Sequence, residues 1–274
     1  MDAIPVTFTD IQVTALIELY ARWLDAKDPH PILGDPWADR IVRSLDFDFS
    51  EFKKGFALSR YPVGERSRTF DRWVAEYLSE NPDAIVLDLG CGLDSRVIRV
   101  DPAPGHLWYD VDLQGVIEIA DRLYPERAEH CRIAASAVDP DWLARIPGDR
   151  PVVVVADGLL MFLAEDEVRR VFQQIIDHFP RGQFVFNAYA PLIKERGEKR
   201  PEPVFEKYGV QLKWTIENAR GVEKLDDRLH YVDEHRMGEG GLLAHASLYY
   251  RLLVAVINVV PAWRNSGWIL RYRF

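Results

Sequence analysis

The first eighty residues carry their apolar positions at helical spacing. Between Thr9 and Asp25 an apolar residue recurs every three or four positions, which predicts one amphipathic helix. Prolines and a glycine within residues 29–36 end this pattern, and shorter helices are predicted over residues 36–45 and 69–78. No convincing strand precedes Asn81, so the segment is predicted to be helical throughout.

After Pro82 the pattern changes to short apolar runs that alternate with helical stretches. The run over residues 151–156 is rich in valine and apolar on both faces, as the central strand of a parallel sheet is. Residues 116–123 and 165–179 are predicted helices. Alternation of this kind predicts an α/β fold, a parallel sheet with helices on both faces. The predicted strands cover residues 84–89, 106–111, 132–135, 151–156 and 183–188.

The last third is less regular. Residues 191–227 are charged and interrupted by prolines, which indicates a loop or a small insertion. A sixth strand is predicted over 229–233, a helix over 241–259, and a closing strand over 268–274, where polar and apolar residues alternate. We therefore divide the chain into a helical segment, 1–80, and an α/β domain, 81–274.

Composition narrows the possible classes of protein. Basic residues number 34 and acidic residues 43, for a net charge of −9, which disfavours nucleic acid or an anionic membrane as the main partner. Two cysteines, Cys91 and Cys131, give no disulfide framework and favour a reducing, cytoplasmic compartment. The N-terminal residues show no signal peptide, and the longest apolar stretch, 252–260, is too short to span a bilayer.

The strongest local motif is the Gly90-Cys-Gly92 turn after the first predicted strand of the sheet. Such a turn lets the backbone approach a ligand closely, and the following helix offers free N–H groups. The turn alone is a weak signal. It fails the dinucleotide-binding pattern, because Ser95 stands where a third small residue, Gly or Ala, is expected.

Acidic residues stand at the ends of two further strands. Asp112 lies 22 positions after Gly90, where an acid can accept hydrogen bonds from both ribose hydroxyls of a nucleoside. Asp110 is an open alternative, since residues two apart on a strand point to the same side. Asp157 follows the valine-rich strand at the sheet edge where open α/β folds bind ligands.

An arginine cluster precedes the first strand of the sheet. Arg66 and Arg68 are its central members, and a guanidinium there can clamp a carboxylate through two hydrogen bonds. An ordinary solvated surface is the alternative interpretation of such a cluster.

Taken together, the motifs resemble the leucine carboxyl methyltransferase family, and within it the bacterial O-methyltransferases of tetracenomycin-type polyketide biosynthesis. The resemblance covers residues 59–179, with weaker support from 267–274. The motifs that carry it are Arg66-Ser-Arg-Thr-Phe-Asp71, Leu87-Asp-Leu-Gly-Cys-Gly-Leu-Asp-Ser-Arg96, Trp108-Tyr-Asp-Val-Asp-Leu113 and Asp157-Gly-Leu-Leu-Met-Phe-Leu163.

The resemblance implies the class I fold of S-adenosylmethionine-dependent methyltransferases, a Rossmann-like and mostly parallel seven-stranded sheet under an N-terminal helical lid. It also implies S-adenosylmethionine as cofactor and S-adenosylhomocysteine as product. Asp157 stands where the family usually has Glu, which shortens the reach of the carboxylate. The cofactor-binding residues that it implies are Arg66 and, less certainly, Arg68 for the carboxylate, Gly90 and Gly92 for the methionine portion, Asp112 for the ribose, Ser136 and Ala137 for the adenine, and Asp157 for the amino group.

The activity implied is transfer of a methyl group to oxygen, on a carboxylate or a phenol of a small natural product. A protein C-terminal carboxylate is the rival acceptor. Two other functions are weaker alternatives. A nicotinamide-dependent oxidoreductase would not account for Arg66. A non-enzymatic binding module would not need Arg66, Gly90, Asp112 and Asp157 together. The histidines lack the spacing of a metal site, and no general base is evident. The acceptor pocket is expected between the N-terminal helices and the 191–227 segment.

Overall fold

The computed structural model describes residues 3–236 and 246–274 of the chain. The helices are α1 Val13–Ala26, α2 Ala38–Ser44, α3 Lys53–Phe56, α4 Arg60–Glu80, α5 Arg96–Val100, α6 Gln114–Leu123, α7 Glu165–His178, α8 Pro191–Lys199, α9 Pro203–Lys207, α10 Leu248–Val259 and α11 Pro261–Arg264. The strands are β1 Ile4–Pro5, β2 Leu45–Asp46, β3 Ile85–Leu89, β4 Leu107–Asp112, β5 His130–Ala134, β6 Val152–Ala156, β7 Gly182–Tyr189, β8 His230–Arg236 and β9 Gly267–Arg273.

Seven strands form one sheet in the order β5-β4-β3-β6-β7-β9-β8. Strands β3 to β7 pair in parallel, and β9 runs antiparallel between β7 and β8. The mostly parallel seven-stranded sheet predicted for this chain is confirmed. The strand order reverses between β3 and β6, where the crossovers leave a crevice at the carboxyl ends of the strands.

Helices cover both faces of this sheet. On one face α4 places Trp73 and Val74 against Val155 of β6. On the other face Phe172 of α7 packs against Phe186 of β7. Every residue of β6 is buried, which is why its sequence is apolar without alternation.

Helix α4 is longer than the sequence pattern predicts. The prediction was a helix over residues 69–78, whereas α4 begins at Arg60. In its first turns, buried positions are occupied by polar side chains, among them Glu65 and Arg66, and these charges are neutralised by ion pairs. Because the buried face is partly polar there, the sequence lacks the apolar periodicity that predicts a helix.

Three other differences from the predictions are small. The helix expected over residues 36–45 is α2, and the 191–227 segment contains α8, α9 and a 3-10 turn at Gly221–Lys224. The prediction of no strand before Asn81 is wrong, because β1 and β2 form a parallel pair of two residues each. Strands this short leave no recognisable apolar pattern in the sequence.

The C-terminal elements follow the predictions where the structure describes them. Strands β8 and β9 match the predicted sixth and closing strands, and α10 covers most of the helix predicted over 241–259, of which residues 241–245 lie outside the described part. Across residues 3–236 and 246–274, each helix is too short or too polar to cross a membrane.

Helix α1 lies over the carboxyl ends of the strands. Its apolar side joins a cluster that includes Leu16 and Tyr20 of α1 and Val116 and Ile119 of α6. Ala15 of α1 lies beside the glycine turn that follows β3. The N-terminal helices therefore close the crevice from above.

Candidate active site

A cleft of about 440 Å³ lies at the carboxyl edge of the sheet, beneath α1. This volume is in the range of small-molecule sites. Loops after β3, β4, β5 and β6 form its floor. Six of the eight predicted cofactor-binding residues line it, namely Gly90, Gly92, Asp112, Ser136, Ala137 and Asp157.

The glycine turn after β3 requires glycine at both positions. Gly90 has a φ of 61° and Gly92 a φ of 57°, a left-handed region that disfavours other residues. A Cβ atom at Gly90 would lie 3.0 Å from Leu159, and one at Gly92 would lie 3.3 Å from the Cβ of Ala15. The turn thus brings bare backbone to the cleft between α1 and the loop after β6.

Asp112 projects into the cleft from the end of β4. Its two carboxylate oxygens accept hydrogen bonds from the backbone N–H groups of Gly92 and Leu113, each at 2.7 Å. Burial raises the pKa of Asp112 to about 6, although the two hydrogen bonds oppose this shift. The carboxylate is therefore held rigidly and is ionised at neutral pH.

Asp110, the open alternative, has structural partners instead. Its carboxylate accepts a hydrogen bond from Trp108 Nε1 at 2.8 Å and lies 2.7 Å from His130 Nε2. It is absent from the described residues that line the cleft. The structure brings Asp112, and not Asp110, into the lining of the cleft.

Asp157 and Arg66 form an ion pair beside the cleft. Arg66 Nε contacts Asp157 Oδ1, and Arg66 Nη2 lies 2.7 Å from Glu18 Oε2 of α1. Arg66 is 3 % exposed and stands behind these two acids, which line the cleft, while Arg66 does not appear among the described lining residues. Burial alone lowers the pKa of Arg66, but the charges of Asp157 and Glu18 outweigh it and raise the pKa.

Arg68, unlike Arg66, does not contact the acids that line the cleft. Its Nη1 donates a hydrogen bond to the backbone oxygen of Ile32 at 2.7 Å, and it is outside the described cleft lining. Residues two apart on a helix point about 200° apart, so Arg66 and Arg68 cannot both face the cleft.

Arg96 connects the glycine turn to the end of β6. Its guanidinium lies 2.7 Å from Asp157 and 3.0 Å from Asp88. Arg96 also pairs with Asp94 at 3.1 Å, and burial of Asp94 raises its pKa less than the charges of Arg22, Arg99 and Arg96 lower it. This network fixes the loop after β3 relative to the loop after β6.

Sequence reasoning missed two cleft residues on α1, Glu18 and Arg22. They are four positions apart on a predicted helix and so share a face, which was the available signal. Arg22 donates to the backbone oxygen of Leu93 at 2.8 Å. The polar face of α1 therefore contributes charge to the cleft while its apolar face packs against the core.

Cys91 belongs to the glycine turn that borders the cleft. Cys91 is buried, and burial raises the pKa of its thiol well above the ordinary value. Within residues 3–236 and 246–274, no three His, Cys, Asp or Glu side chains are grouped to hold a metal ion.

Comparison with known proteins gives one family and several relatives. Residues 15–176 match the model of the leucine carboxyl methyltransferase family. The chain is 35% identical over 269 residues to the tetracenomycin polyketide synthesis O-methyltransferase TcmP of Streptomyces glaucescens, and 98% of each chain is covered. It is 31% identical to the S-adenosyl-L-methionine-dependent methyltransferase dpfgK of Gibberella zeae, with 89% of this chain and 90% of the relative covered.

Solved structures support the fold. A crystal structure from Thermobifida fusca superposes with a TM-score of 0.59 at 17% identity, covering 92% of this chain and 93% of the other. A SAM-dependent methyltransferase from Anabaena variabilis gives a TM-score of 0.52 at 13% identity and covers 99% of both chains. At these identities the likeness shows the fold alone.

Proposed function

The chain belongs to the leucine carboxyl methyltransferase family, and from this premise we propose that it methylates an oxygen atom of a small, polyketide-like acceptor. It is an S-adenosylmethionine-dependent methyltransferase. The acceptor class rests on the near full-length relative that acts in tetracenomycin synthesis. A protein C-terminal carboxylate remains the alternative acceptor, supported by the family name only.

One observation supports the cofactor assignment above the others, the ionised Asp112 carboxylate fixed by Gly92 N at the cleft. An acid held in this way would bind the two ribose hydroxyls. Ser136 and Ala137 would contact the adenine at the end of β5. At the other end of the cleft, the cation of Arg66 and the anion of Asp157 have the charges that complement the carboxylate and the ammonium of an amino acid.

The Gly90–Gly92 turn would carry the methionine portion between these two ends. Its positive φ angles and missing side chains leave room for close approach of a ligand to the backbone. Asp112, the glycine turn and the residues after β5 thus support binding of the nucleoside and methionine portions of S-adenosylmethionine, whereas Arg66 is held by Glu18 and Asp157 behind the cleft.

When bound, the cofactor supplies an electrophilic methyl group on a sulfonium. The protein positions the acceptor and excludes water. Within the N-terminal segment 1–80, α1 and its neighbours before residue 60 would act as the lid that does so, whereas α4 packs on a face of the sheet. The methyltransferase domain then comprises residues 81–274 together with α4. The segment 191–227 adds an acceptor wall, which is supported by Gly209, Val210, Gln211 and Lys213, all of which line the cleft.

The pairing of two cleft acids favours an acceptor that needs no general base. Glu18 and Asp157 are both engaged by Arg66, so neither is available as an unpaired base. A carboxylate acceptor needs no base at neutral pH, whereas a phenol with a pKa of about 10 does. We therefore prefer a carboxylate oxygen as the methyl acceptor. A cytoplasmic location stays a prediction from the sequence.

The test is calorimetric titration of the full chain with S-adenosylhomocysteine and, separately, with NAD⁺. We expect S-adenosylhomocysteine to bind with a Kd in the micromolar range or tighter, about −8 kcal/mol or better. NAD⁺ should give no heat of binding. Binding of NAD⁺ without any response to S-adenosylhomocysteine would overturn the proposal.

A further inference from the structure

Helix α10 is an apolar helix that the described chain leaves uncovered. Its sequence, Leu-Tyr-Tyr-Arg-Leu-Leu-Val-Ala-Val-Ile-Asn-Val, holds one charged residue, Arg251, and none of its twelve residues is buried. Six large apolar residues in or next to it are strongly exposed, Leu248 at 69%, Tyr249 at 67%, Leu252 at 59%, Val256 at 67%, Val259 at 79% and Val260 at 45%. A helix that is apolar on all sides normally has neighbours on all sides.

One face of α10 already has a neighbour. Tyr250 stacks on Tyr61 of α4 with ring centroids 4.3 Å apart. Tyr250 and Val254 pack against the small cluster of Ile32, Tyr61 and Ala246. These contacts hold the helix on the body of the protein and fix which side faces outwards.

The outward face carries a stripe that we call the α10 seam, formed by Tyr249, Leu252, Val256 and Val259. Their spacings of three, four and three residues follow the 3.5-residue period by which one helix packs along another. Any helix with one apolar face has this spacing, whether that face meets another helix or a lipid surface. The spacing fits a second helix as the occupant, and the exposed area and the charge decide between the two.

The size of the exposed patch meets the requirement of a dimer. If a fully exposed large apolar side chain presents about 150 Å², the six residues, which are exposed to roughly two thirds, present roughly 600 Å². This is at the upper end of what monomers expose. Two such patches in contact bury about 1,200 Å², the lower end of the range for specific interfaces.

We propose that the seam is covered by a second copy of this chain, with the two α10 helices antiparallel about a two-fold axis near Val254. In this arrangement Tyr249 of one copy meets Val259 of the other, and Leu252 meets Val256. Each large side chain of the N-terminal half then faces a valine, the alternation of large and small residues that fills an interface.

Charge agrees with this arrangement. Arg251 lies about 100° around the helix from Leu252, at the flank of the seam, so no charge is buried between the copies. Antiparallel helices also place opposite ends of their dipoles together. The net charge of −9 disfavours an anionic membrane as the occupant.

The first test compares Leu252→Glu with Arg251→Glu in the full chain by sedimentation velocity over a concentration series. Both variants place a carboxylate on neighbouring exposed positions of α10, but only the first lies on the seam. We expect the wild type and Arg251→Glu to be dimers, and Leu252→Glu to raise the dimer Kd by about 100-fold or more. Equal dimerisation of both variants, or a wild type that stays monomeric at every concentration, would overturn the proposal.

The second test fixes the orientation of the helices by disulfide cross-linking. In a Cys131→Ser background, which removes the exposed native thiol, Tyr249→Cys combined with Val259→Cys should give covalent dimers on oxidation. Tyr249→Cys alone should give few, because antiparallel helices separate the two copies of position 249. Efficient cross-linking by the single variant would mean a parallel pair and contradict the model of the interface. A monomeric wild type that sediments with phosphatidylcholine vesicles would assign the seam to lipid instead.

Discussion

The guanidinium of Arg66 and the carboxylate of Asp157 meet beside the cleft and join helix α4 to the end of strand β6. Glu18 of α1 contacts the same guanidinium at 2.7 Å. One buried cation thus connects α1, the end of β6 and α4, which packs on a face of the sheet. A cofactor carboxylate that reaches Arg66 has to share it with these two acids.

Arg66→Lys should weaken binding of S-adenosylhomocysteine by about 2 kcal/mol, because lysine cannot contact two carboxylates through a planar fork. Arg68→Lys is the matched control on the same helix. Its guanidinium bonds to the Ile32 carbonyl, so the affinity should change little. Calorimetry of both variants, with melting curves to confirm folding, checks this. Equal losses of affinity would contradict the placement of Arg66 at the site.

Asp112→Ala should weaken the same ligand by about 2–4 kcal/mol, the loss of two hydrogen bonds to a charged acceptor. Asp110→Ala should instead lower the melting temperature, since Trp108 Nε1 and His130 lose their shared partner. The two variants therefore separate binding from stability. A larger loss of affinity in Asp110→Ala would reverse the assignment of the ribose acid.

The raised pKa of Asp112 couples the site to pH. Ligand affinity should fall as the pH is lowered through about 6, where the carboxyl takes up a proton. Stability of the ligand-free protein should change in the opposite sense. An acid whose folded pKa exceeds its unfolded value contributes stability that is full below pH 4 and is lost as the pH rises through about 6.

The measurement for this coupling is a pair of pH series, one of calorimetric affinity and one of melting temperature. Asp112→Asn serves as the control because it cannot titrate. Relative to this variant, the wild type should lose melting temperature between pH 4 and pH 7. Parallel curves over that window would show that another group is responsible.

Gly92→Ala should destabilise the protein by more than the 1–2 kcal/mol that a left-handed alanine costs. The added Cβ also presses on Ala15 of the lid helix at 3.3 Å. Gly34→Ala is a suitable reference, because Gly34 has a similar φ of 68° and only an ordinary contact with Pro31 at 3.5 Å. The difference between the two unfolding free energies, from urea titration, measures the contact between lid and glycine turn. Equal losses of unfolding free energy in the two variants would mean that α1 can move to accommodate the added methyl group.

The sequence alone predicts those parts of the molecule in which apolar residues are buried and polar residues follow the ends of strands. The valine run of β6 fixes the centre of the sheet, and the glycines and acids that follow strands β3, β4 and β6 meet at one edge because parallel strands all end there. The sequence pattern did not predict the first turns of α4, because Glu65 and Arg66 are buried there in ion pairs. It did not predict Glu18 as a cleft residue, because a charged residue on an amphipathic helix normally faces water.

Strand β9 lies between β7 and β8, although it follows both in the chain. During synthesis on the ribosome, the buried strand Gly182–Tyr189 therefore has no neighbour on one side until residues 267–273 have been made. An apolar edge that waits for its partner can pair with another nascent chain. At a translation rate of about 5–20 residues per second, the 77 residues between these strands leave that edge open for several seconds. The sheet of this enzyme is completed by the insertion of its last strand between two earlier ones, so the chain is exposed to aggregation until that strand has been made.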